Sequence, residues 1–500
     1  MIPFSYKGGV ILKIRNYEDL VSHGNIQTRK DILDILNAGL EAIDTERKTK
    51  EAVRIEGGKL IVGGAEYEPP DDPQSGLAVY DLNEVDHIWV IGFGKGVYES
   101  AKALEEILGD RLTGGELIVK HGDPTTLQKI HVTPGGHPVP DEGCVEGCRR
   151  ILELSKKVTE RDIVFTISAN GISSLLTMPI PELTLEEVQR ITEVIQIEKG
   201  VSTRELNKVR NHVDMMKGGR VSRYFKKAQM IHLNLISLKG GGGGSEANLS
   251  GYEGLMRGNI WLHALPEGST FQEAVDVLHE AGAWEDMSQN VQNYLLSAPI
   301  ENETVKYEEF HTFRFRVFGI MTGNSSHMAA AKKKAVELGY SPLVLAQGLQ
   351  AEAAQAGYYS MSVARSCAGS GEPIKPPCCI FTTGELLVSC GKDPGVGGRN
   401  QEYILAAATR MHLSPKTVIA AVDTDGTDGP GGFIADDAPN CLAGAIADIS
   451  TMAEADALGL DISQALRTHN TSPIHWKMKN GIVTDQAISI GDFGIILIPE

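Results

Sequence analysis

The chain has 500 residues, 42% of them hydrophobic and 22% charged, which is the usual composition of a soluble globular protein. This length exceeds what one hydrophobic core usually serves, so two or more domains are expected. The formal net charge of -18 disfavours non-specific nucleic-acid binding, which depends on Lys and Arg at the phosphates. No apolar run is long enough to span a membrane, and the first residues lack a secretory cleavage site. We therefore predict a cytoplasmic protein.

The seven cysteines form no pair of CxxC units, so the sequence indicates neither a zinc site nor a disulfide framework. Strand-like and helix-like segments alternate along the chain, which predicts an α/β protein with parallel sheets. Residues 1–29 show no strong periodicity and are interpreted as a variable leader. Apolar residues at helical spacing over 32–43 then predict the first helix of an N-terminal domain.

A buried strand is predicted at His87–Gly92, and a glycine turn and an apolar helix follow it. Strand, glycine turn and helix place backbone N–H groups around a phosphate. Gly94, Lys95 and Gly96 form this turn and are candidate ligand-binding residues. The dinucleotide fingerprint would need glycine where Val97 stands, so this motif is weak alone. A surface lysine in a loop explains Lys95 about as well.

The next candidates follow the same pattern. His137 lies in a loop rich in Pro and Gly, where it either binds substrate or satisfies loop backbone groups. A second buried strand, predicted at Asp162–Ser168, ends in a turn that carries hydroxyl and amide groups able to bind an anion. The candidates there are Ser168, Asn170 and Ser173. The serines are not in a G-x-S-x-G elbow, which disfavours a serine hydrolase.

Residues 184–227 are predicted to be helical, and a Thr-x-x-Glu capping box opens them. Polar side chains crowd the second half of this region, more than a solvated helix face explains. The candidates are Asn207, Arg210 and Lys217. Five successive glycines from Gly240 to Gly244 follow the next strand and form either a lid or an anion pocket. Lys239 and Gly241 are the candidates at this place.

The charged stretch around residues 299–309 is interpreted as a linker, which puts the N-terminal domain at 30–300 and a C-terminal domain at 301–500. A further strand, turn and helix follow it, with Asn324 at the turn.

The stretch from Gly395 to Pro430 is the densest in polar function. Three glycines precede Arg399, Asn400 and Glu402 at the start of a helix, which is a place suited to an anion. A buried strand then ends in three carboxylates, and the carboxyl ends of strands are where open α/β sheets bind ligands. These candidate metal ligands are Asp423, Asp425 and Asp428. Turn formation and helix capping are the alternative roles.

Several blocks, in order, resemble the glycerate 2-kinase family, whose C-terminal half is the MOFRL domain. They are GFGKG at Lys95, GGHPVPDE, ELNKVRNH with KGGR, the turn at Asn324, GGRNQE at Arg399, and DTDGTDGP from Asp423. The resemblance implies two Rossmann-like α/β/α domains with the active site in the cleft between them. It further implies ATP and Mg²⁺ as cofactors, phosphoryl transfer to the 2-hydroxyl of D-glycerate, and Lys95 and Arg399 as catalytic cations that converge on one anionic small molecule. A homodimer is common for such folds.

The chain departs from the family where SDVVGDD is replaced by Ser237-Leu238-Lys239 and glycines, and where SGGGS has lost two glycines. Carboxylates usually hold the Mg²⁺ that bridges nucleotide phosphates. Four interpretations therefore stay open. The chain is a hydroxy-acid kinase, a relative that acts on an anionic small molecule as a lyase, isomerase or hydrolase, a binding protein with a dead site or, least favoured, a nicotinamide dehydrogenase. The first two are preferred because Lys95 and Arg399 are both retained.

Overall fold

The computed structural model describes residues 6–7, 10–238, 251–321, 326–390, 394–485, 488 and 490–500. The strands are β1 (Tyr6–Lys7), β2 (Val10–Ile11), β3 (Val53–Glu56), β4 (Lys59–Val62), β5 (Ala78–Asp81), β6 (Ile88–Phe93), β7 (Leu112–Lys120), β8 (Ile130–Gly135), β9 (Ile163–Ser168), β10 (Gln229–Asn234), β11 (Arg314–Gly319), β12 (Ser341–Leu349), β13 (Cys378–Gly384), β14 (Val418–Asp423), β15 (Gly444–Ala447), β16 (Gly481–Ile482) and β17 (Asp492–Ile498). The α-helices are α1 (Tyr17–Leu20), α2 (Ile26–Ala42), α3 (Thr45–Ala52), α4 (Val97–Leu108), α5 (Glu142–Ser155), α6 (Ile172–Leu175), α7 (Leu185–Thr192), α8 (Thr203–His212), α9 (Arg220–Tyr224), α10 (Gly251–Gly258), α11 (Phe271–Glu280), α12 (Gln289–Ser297), α13 (Tyr307–Phe310), α14 (Ser326–Glu337), α15 (Ala353–Ser370), α16 (Arg399–Ala408), α17 (Thr451–Ala457), α18 (Ile462–Arg467) and α19 (Ser472–Lys477).

The chain divides into two compact units. The parallel-sheet unit contains described residues 45–238 and 251–321, and the mixed-sheet unit contains those up to 44 and from 326 onward. The predicted domain boundaries do not coincide with this division. Residues 1–29 are more than a leader, because α2 begins at Ile26 and the buried Arg29 pairs with Asp448 at 2.7 Å in the mixed-sheet unit. The predicted linker also lies inside a unit, because β11 follows it and pairs with β10.

The parallel-sheet unit is built on six parallel strands in the order β11-β10-β9-β6-β7-β8. Numbered from β6, this is the doubly wound order 6-5-4-1-2-3. From β6 the chain adds β7 and β8 on one side of β6, and it then adds β9, β10 and β11 on the other side. The order in which strands are added therefore reverses between β6 and β9. Ligands bind at such a switch point, outside the carboxyl ends of the strands. This sheet confirms the predicted parallel α/β architecture for one unit.

Helices α7, α8, α11 and α12 pack a second apolar core in this unit. Thr184 and Glu187 form the predicted capping box at the start of α7. The apolar side of α8 enters this core through Leu206 and Val209. A small antiparallel sheet, β3-β4-β5, completes this unit.

The mixed-sheet unit corrects the prediction of predominantly parallel sheets. Its strand order is β12-β13-β17-β14-β15-β16, and the β12–β13 pair is parallel while the other pairs are antiparallel. The C-terminal strand β17 inserts between β13 and β14. Asp492, the first residue of β17, thereby lies opposite Asp423, the last residue of β14. This pairing creates the centre of the site described below.

Candidate functional site

The Lys95 turn lies at the switch point of the parallel sheet. Gly94 has φ +129°, and a Cβ there would lie 2.8 Å from the carbonyl oxygen of Ala169. Gly96, with φ +77°, is the N-cap of α4. The backbone N–H of Lys95 donates to the carbonyl of Asn170 at 2.8 Å. Only glycine fits these two backbone positions without strain, so the turn holds Lys95 at the N-terminus of a twelve-residue helix, where anions are stabilised.

The turn that follows β9 lies against the Lys95 turn. A Cβ built on Gly171, which has φ +83°, would lie 3.0 Å from Cγ of Lys95 and 3.2 Å from Cδ2 of His137. The structure thus brings Gly94, Lys95, Gly96, His137 and Asn170 together, as expected from the strand–turn–helix patterns. The residues gathered here carry a cation, an imidazole and backbone N–H groups.

The serines at the end of β9 have different surroundings. Ser168 is fully buried, and its Oγ has no hydrogen-bond partner among the described residues. Ser173 Oγ lies 3.0 Å from Nε2 of the buried His263. Burial lowers the pKa of His263 well below its usual value, and the charges of Lys217 and Arg210 lower it further. His263 is therefore neutral at pH 7 and acts as a hydrogen-bond partner.

The polar residues of α8 are buried rather than solvated. Asn207 is 0% exposed and Arg210 is 4% exposed. Nε and Nη2 of Arg210 donate to Thr192 Oγ1 at 3.3 and 3.0 Å. Lys217, also buried, donates to Asp214 Oδ2 and Thr177 Oγ1, both at 2.7 Å. Burial lowers the pKa of Arg210 to about 10, and burial lowers that of Lys217 too.

In the mixed-sheet unit, Arg399 bridges the two opposed carboxylates of β14 and β17. Its Nη2 donates to Asp423 Oδ2 at 2.8 Å, and its Nε donates to Asp492 Oδ1 at 2.7 Å. Burial by itself would lower the pKa of Arg399, but the charges of Asp492 and Asp423 outweigh burial and raise it. About a quarter of the side chain is exposed. Arg399 thus neutralises a like-charge pair and still reaches solvent.

Asp428 caps helix α16 instead of facing a ligand. Its carboxylate is 1% exposed and accepts from the backbone N–H groups of Asn400 and Gln401 at 3.0 and 2.9 Å. The side-chain amides of the same two residues also donate to it, each at 3.1 Å. Burial raises the pKa of Asp428 to about 6. The alternative of helix capping therefore describes this aspartate.

The predicted metal set of Asp423, Asp425 and Asp428 is not assembled as a cluster. Asp425 accepts from both the backbone N–H and the hydroxyl of Thr427, as a turn residue does. In the described ranges, no group of three or more His, Cys, Asp or Glu side chains is arranged to hold a metal ion.

Glu402 lies one turn into α16 and pairs with a histidine. His469 Nδ1 is 2.7 Å from Glu402 Oε2, and Glu402 is buried. Burial raises the pKa of Glu402, against the opposing effect of His469.

Sequence reasoning missed Asp492, Asp214 and His263 as members of these clusters. Asp492 follows a glycine and begins an apolar strand, whereas Asp423 ends an apolar strand and comes just before a loop. A carboxylate at the end of an apolar strand is the signal that the two residues share. No local signal marks His263. Lys239, Gly241 and Asn324 lie outside the described residues. Lys95 and Arg399 belong to different units, so their convergence on one compound stays a prediction.

A doubly wound sheet with a glycine turn and a lysine at its switch point is typical of proteins that bind small anions or nucleotides. The family described as "Domain of unknown function (DUF4147)" matches residues 31–237, and the MOFRL family matches residues 378–489. No helix in the described part of the chain is long and apolar enough to cross a membrane.

The relatives narrow this class. The chain is 29% identical over 442 residues to a glycerate 2-kinase of Pyrococcus horikoshii, covering 88% of this chain and 90% of that protein. It is 30% identical over 392 residues to a D-glycerate 2-kinase of Thermotoga maritima, covering 77% and 84%. A crystal structure of a glycerate kinase from Thermotoga maritima superposes with a TM-score of 0.70 at 27% identity, covering 94% of this chain and 99% of that chain. The chain belongs to the glycerate 2-kinase family, as its motifs indicated.

Proposed function

We propose that the chain is an ATP-dependent kinase that phosphorylates D-glycerate, or a close analogue, on its 2-hydroxyl. The observation that carries this proposal is the Lys95 turn, which holds a cation at a helix N-terminus in the switch-point crevice. The family relatives are named as kinases of glycerate, and ATP use follows from a kinase family.

The chemistry suits these residues. Phosphoryl transfer depends on positioned positive charge around the transferring group more than on covalent catalysis. The Gly94-Lys95-Gly96 turn and the first N–H groups of α4 fit a polyphosphate, because they present donors and a cation to one face. Arg399 supplies the second cation in this proposal. Its pairing with Asp492 and Asp423 fixes the guanidinium direction before any ligand binds.

Mg²⁺ fits the described residues less well, since Asp428 caps a helix and Asp425 serves a turn. Among the described residues, these aspartates therefore do not form a carboxylate cluster for the metal.

The proposal is tested by ADP release from ATP with D-glycerate and a panel of three- to five-carbon hydroxy acids, with and without Mg²⁺. The expected result is ADP release that requires an acceptor and is fastest with D-glycerate. Absence of turnover with every acceptor, and of any nucleotide-induced shift in melting temperature, would overturn the kinase proposal. A lyase, isomerase or hydrolase that acts on the same class of anion would then be preferred.

A further inference from the structure

Helix α8 has an unusual buried polar face. Arg210 and Asn211 lie three and four residues after Asn207, so these three side chains share one side of α8, and Asp214 follows two residues after the helix ends. All four are nearly or fully buried, and the opposite side packs into the apolar core through Leu206 and Val209. Burying polar side chains costs free energy unless each finds a hydrogen-bond partner. The hydrogen-bond partners of these side chains therefore indicate whether they stabilise the fold or bind a ligand.

Asn207 lacks partners for both ends of its amide. Neither Nδ2 nor Oδ1 makes a hydrogen bond to any described residue, although the side chain is 0% exposed. By contrast, the buried Asn259 satisfies its amide fully. It donates to the carbonyls of Leu262 and Pro266 and accepts from the N–H groups of Trp261 and Leu262. Asn259 therefore shows that this fold can pair all hydrogen-bonding groups of a buried asparagine amide, as expected for a structural role.

Arg210 has no carboxylate within salt-bridge distance in the described part of the chain, because Asp214, whose charge acts on it, pairs with Lys217. The hydrogen-bond partner of Arg210 is the hydroxyl of Thr192. The neighbouring cations differ from it. Lys217 pairs with Asp214, and Arg220 donates to the backbone carbonyls of Asn211, Lys217 and Asn302. A buried guanidinium without an anion is costly, and one turn of helix separates it from the unpartnered amide.

We propose that Asn207 and Arg210 bind the carboxylate and an adjacent hydroxyl of the hydroxy-acid substrate, an assignment that rests on the proposed function. The guanidinium fork matches a carboxylate. The amide offers one donor and one acceptor, so it complements a ligand that carries an acceptor and a donor on neighbouring carbons. A hydroxy acid has both, whereas a simple carboxylate lacks the donor.

A series of interactions connects the surroundings of Arg210 with the Lys95 turn. The charge of Arg210 acts on the buried His263, and His263 Nε2 lies 3.0 Å from Ser173 Oγ, two residues beyond Gly171. A Cβ built on Gly171 would lie 3.0 Å from Cγ of Lys95 and 3.2 Å from Cδ2 of His137. His263 and Ser173 therefore connect the surroundings of Arg210 with the turn that precedes α6.

The test is calorimetric titration of D-glycerate, propionate, glycerol and inorganic phosphate into the parent protein and its variants, without nucleotide. Asn207→Leu and Arg210→Met are expected to raise the Kd for D-glycerate by about ten- to a hundredfold. Propionate and glycerol are expected to bind the parent weakly, because each lacks one of the two groups. Inorganic phosphate is expected not to displace D-glycerate.

Melting temperature separates a binding role from a structural one. Asn207→Leu removes an unpartnered buried amide and is expected to raise the melting temperature of the ligand-free protein. Asn259→Leu is the matched control, and it is expected to lower the melting temperature. Arg150→Met is the charge-matched control for Arg210, since Arg150 pairs with Glu116 on an exposed surface, and its Kd is expected to equal the parent's.

An unchanged Kd in both Asn207→Leu and Arg210→Met would overturn the inference, as would a parent that binds no hydroxy acid. If the parent turns over D-glycerate but neither variant changes its KM, the inference fails and the kinase proposal stands. If hydroxy acids bind in a manner that needs Asn207 and Arg210 but no phosphoryl transfer occurs, the inference stands and the kinase proposal fails.

Discussion

The two polar clusters of this protein are built in opposite ways. Around Arg399 the charges are matched, because the guanidinium bridges Asp423 and Asp492, and Asp428 accepts four hydrogen bonds from the start of α16. On α8, Asn207 and Arg210 are buried without such matching. A matched network stabilises the fold before any ligand arrives, whereas an unmatched one gains most when a ligand binds. Substitutions around Arg399 should therefore lower stability as well as activity, whereas substitutions of Asn207 and Arg210 should mainly weaken ligand binding.

The largest effect on activity is expected from Lys95→Ala. The lysine side chain stands in a glycine turn, and in the proposed reaction its loss removes a cation from the transferring phosphoryl group. We expect turnover to fall by about 10³-fold, with a melting temperature close to that of the parent. Steady-state kinetics and thermal unfolding measure this. Lys102→Ala is the control, because Lys102 lies on the exposed side of α4, the helix that follows the Lys95 turn. It should keep parental turnover.

Arg399→Ala should lose activity and stability together. This substitution leaves the carboxylates of Asp423 and Asp492 opposed on neighbouring strands without the guanidinium between them. Removing one partner of a buried ion pair costs roughly 3–5 kcal/mol. Urea unfolding should show this loss.

The double variant Arg399→Met with Asp492→Asn tests the reason for that loss. It removes one of the opposed charges, so it should regain much of the stability while remaining inactive. A single Arg399→Ala variant as stable as the parent would mean that the matched network is not what holds this region.

Asp428→Ala should reduce stability without changing the metal requirement. Its carboxylate caps α16, and loss of an N-cap costs about 1–2 kcal/mol. Urea unfolding measures the loss, and a Mg²⁺ titration of activity measures the requirement. A variant with parental stability that needs far more Mg²⁺ would identify Asp428 as a metal ligand after all.

The smallest effect is expected at Glu303, which anchors the end of α8. His212 Nε2 lies 3.0 Å from its carboxylate. Burial alone would raise the pKa of Glu303, but His212 and Lys306 outweigh burial and lower the pKa to about 2. A lowered carboxyl pKa gives stability that is fully present above the unfolded-state pKa of about 4.3 and is lost as the pH falls toward 2. The stability difference between the parent and Glu303→Gln should therefore be about 1 kcal/mol at pH 7 and smaller at pH 3. A difference that grows on acidification would contradict this sign.

Much of the parallel-sheet unit could be predicted from the sequence because its strands are continuous apolar runs. β6 and β9 each end in a glycine turn, and such turns mark the carboxyl edge of a parallel sheet. The mixed sheet could not be predicted in this way. β17 pairs with β13, more than a hundred residues away along the chain, and local patterns do not specify such a partner.

The candidate sites divide similarly. Lys95 and Arg399 were found because each stands beside glycines at a helix start. The burial of Asn207 and Arg210 could not be read from α8, since polar residues at helical spacing are equally typical of a solvated face. Asp428 was predicted to bind a metal but caps a helix. A carboxylate after a strand suits either role, and the sequence does not show that α16 begins beside it.

The most direct test of the proposed activity follows the phosphoryl group itself. Parent protein is incubated with D-glycerate and ATP labelled in the γ-phosphate, and the products are resolved by ³¹P NMR and chromatography. We expect transfer of label to the 2-hydroxyl of glycerate with an equal amount of ADP, and no transfer by Lys95→Ala. Label found only in inorganic phosphate, or the same transfer by Lys95→Ala, would contradict the proposed activity.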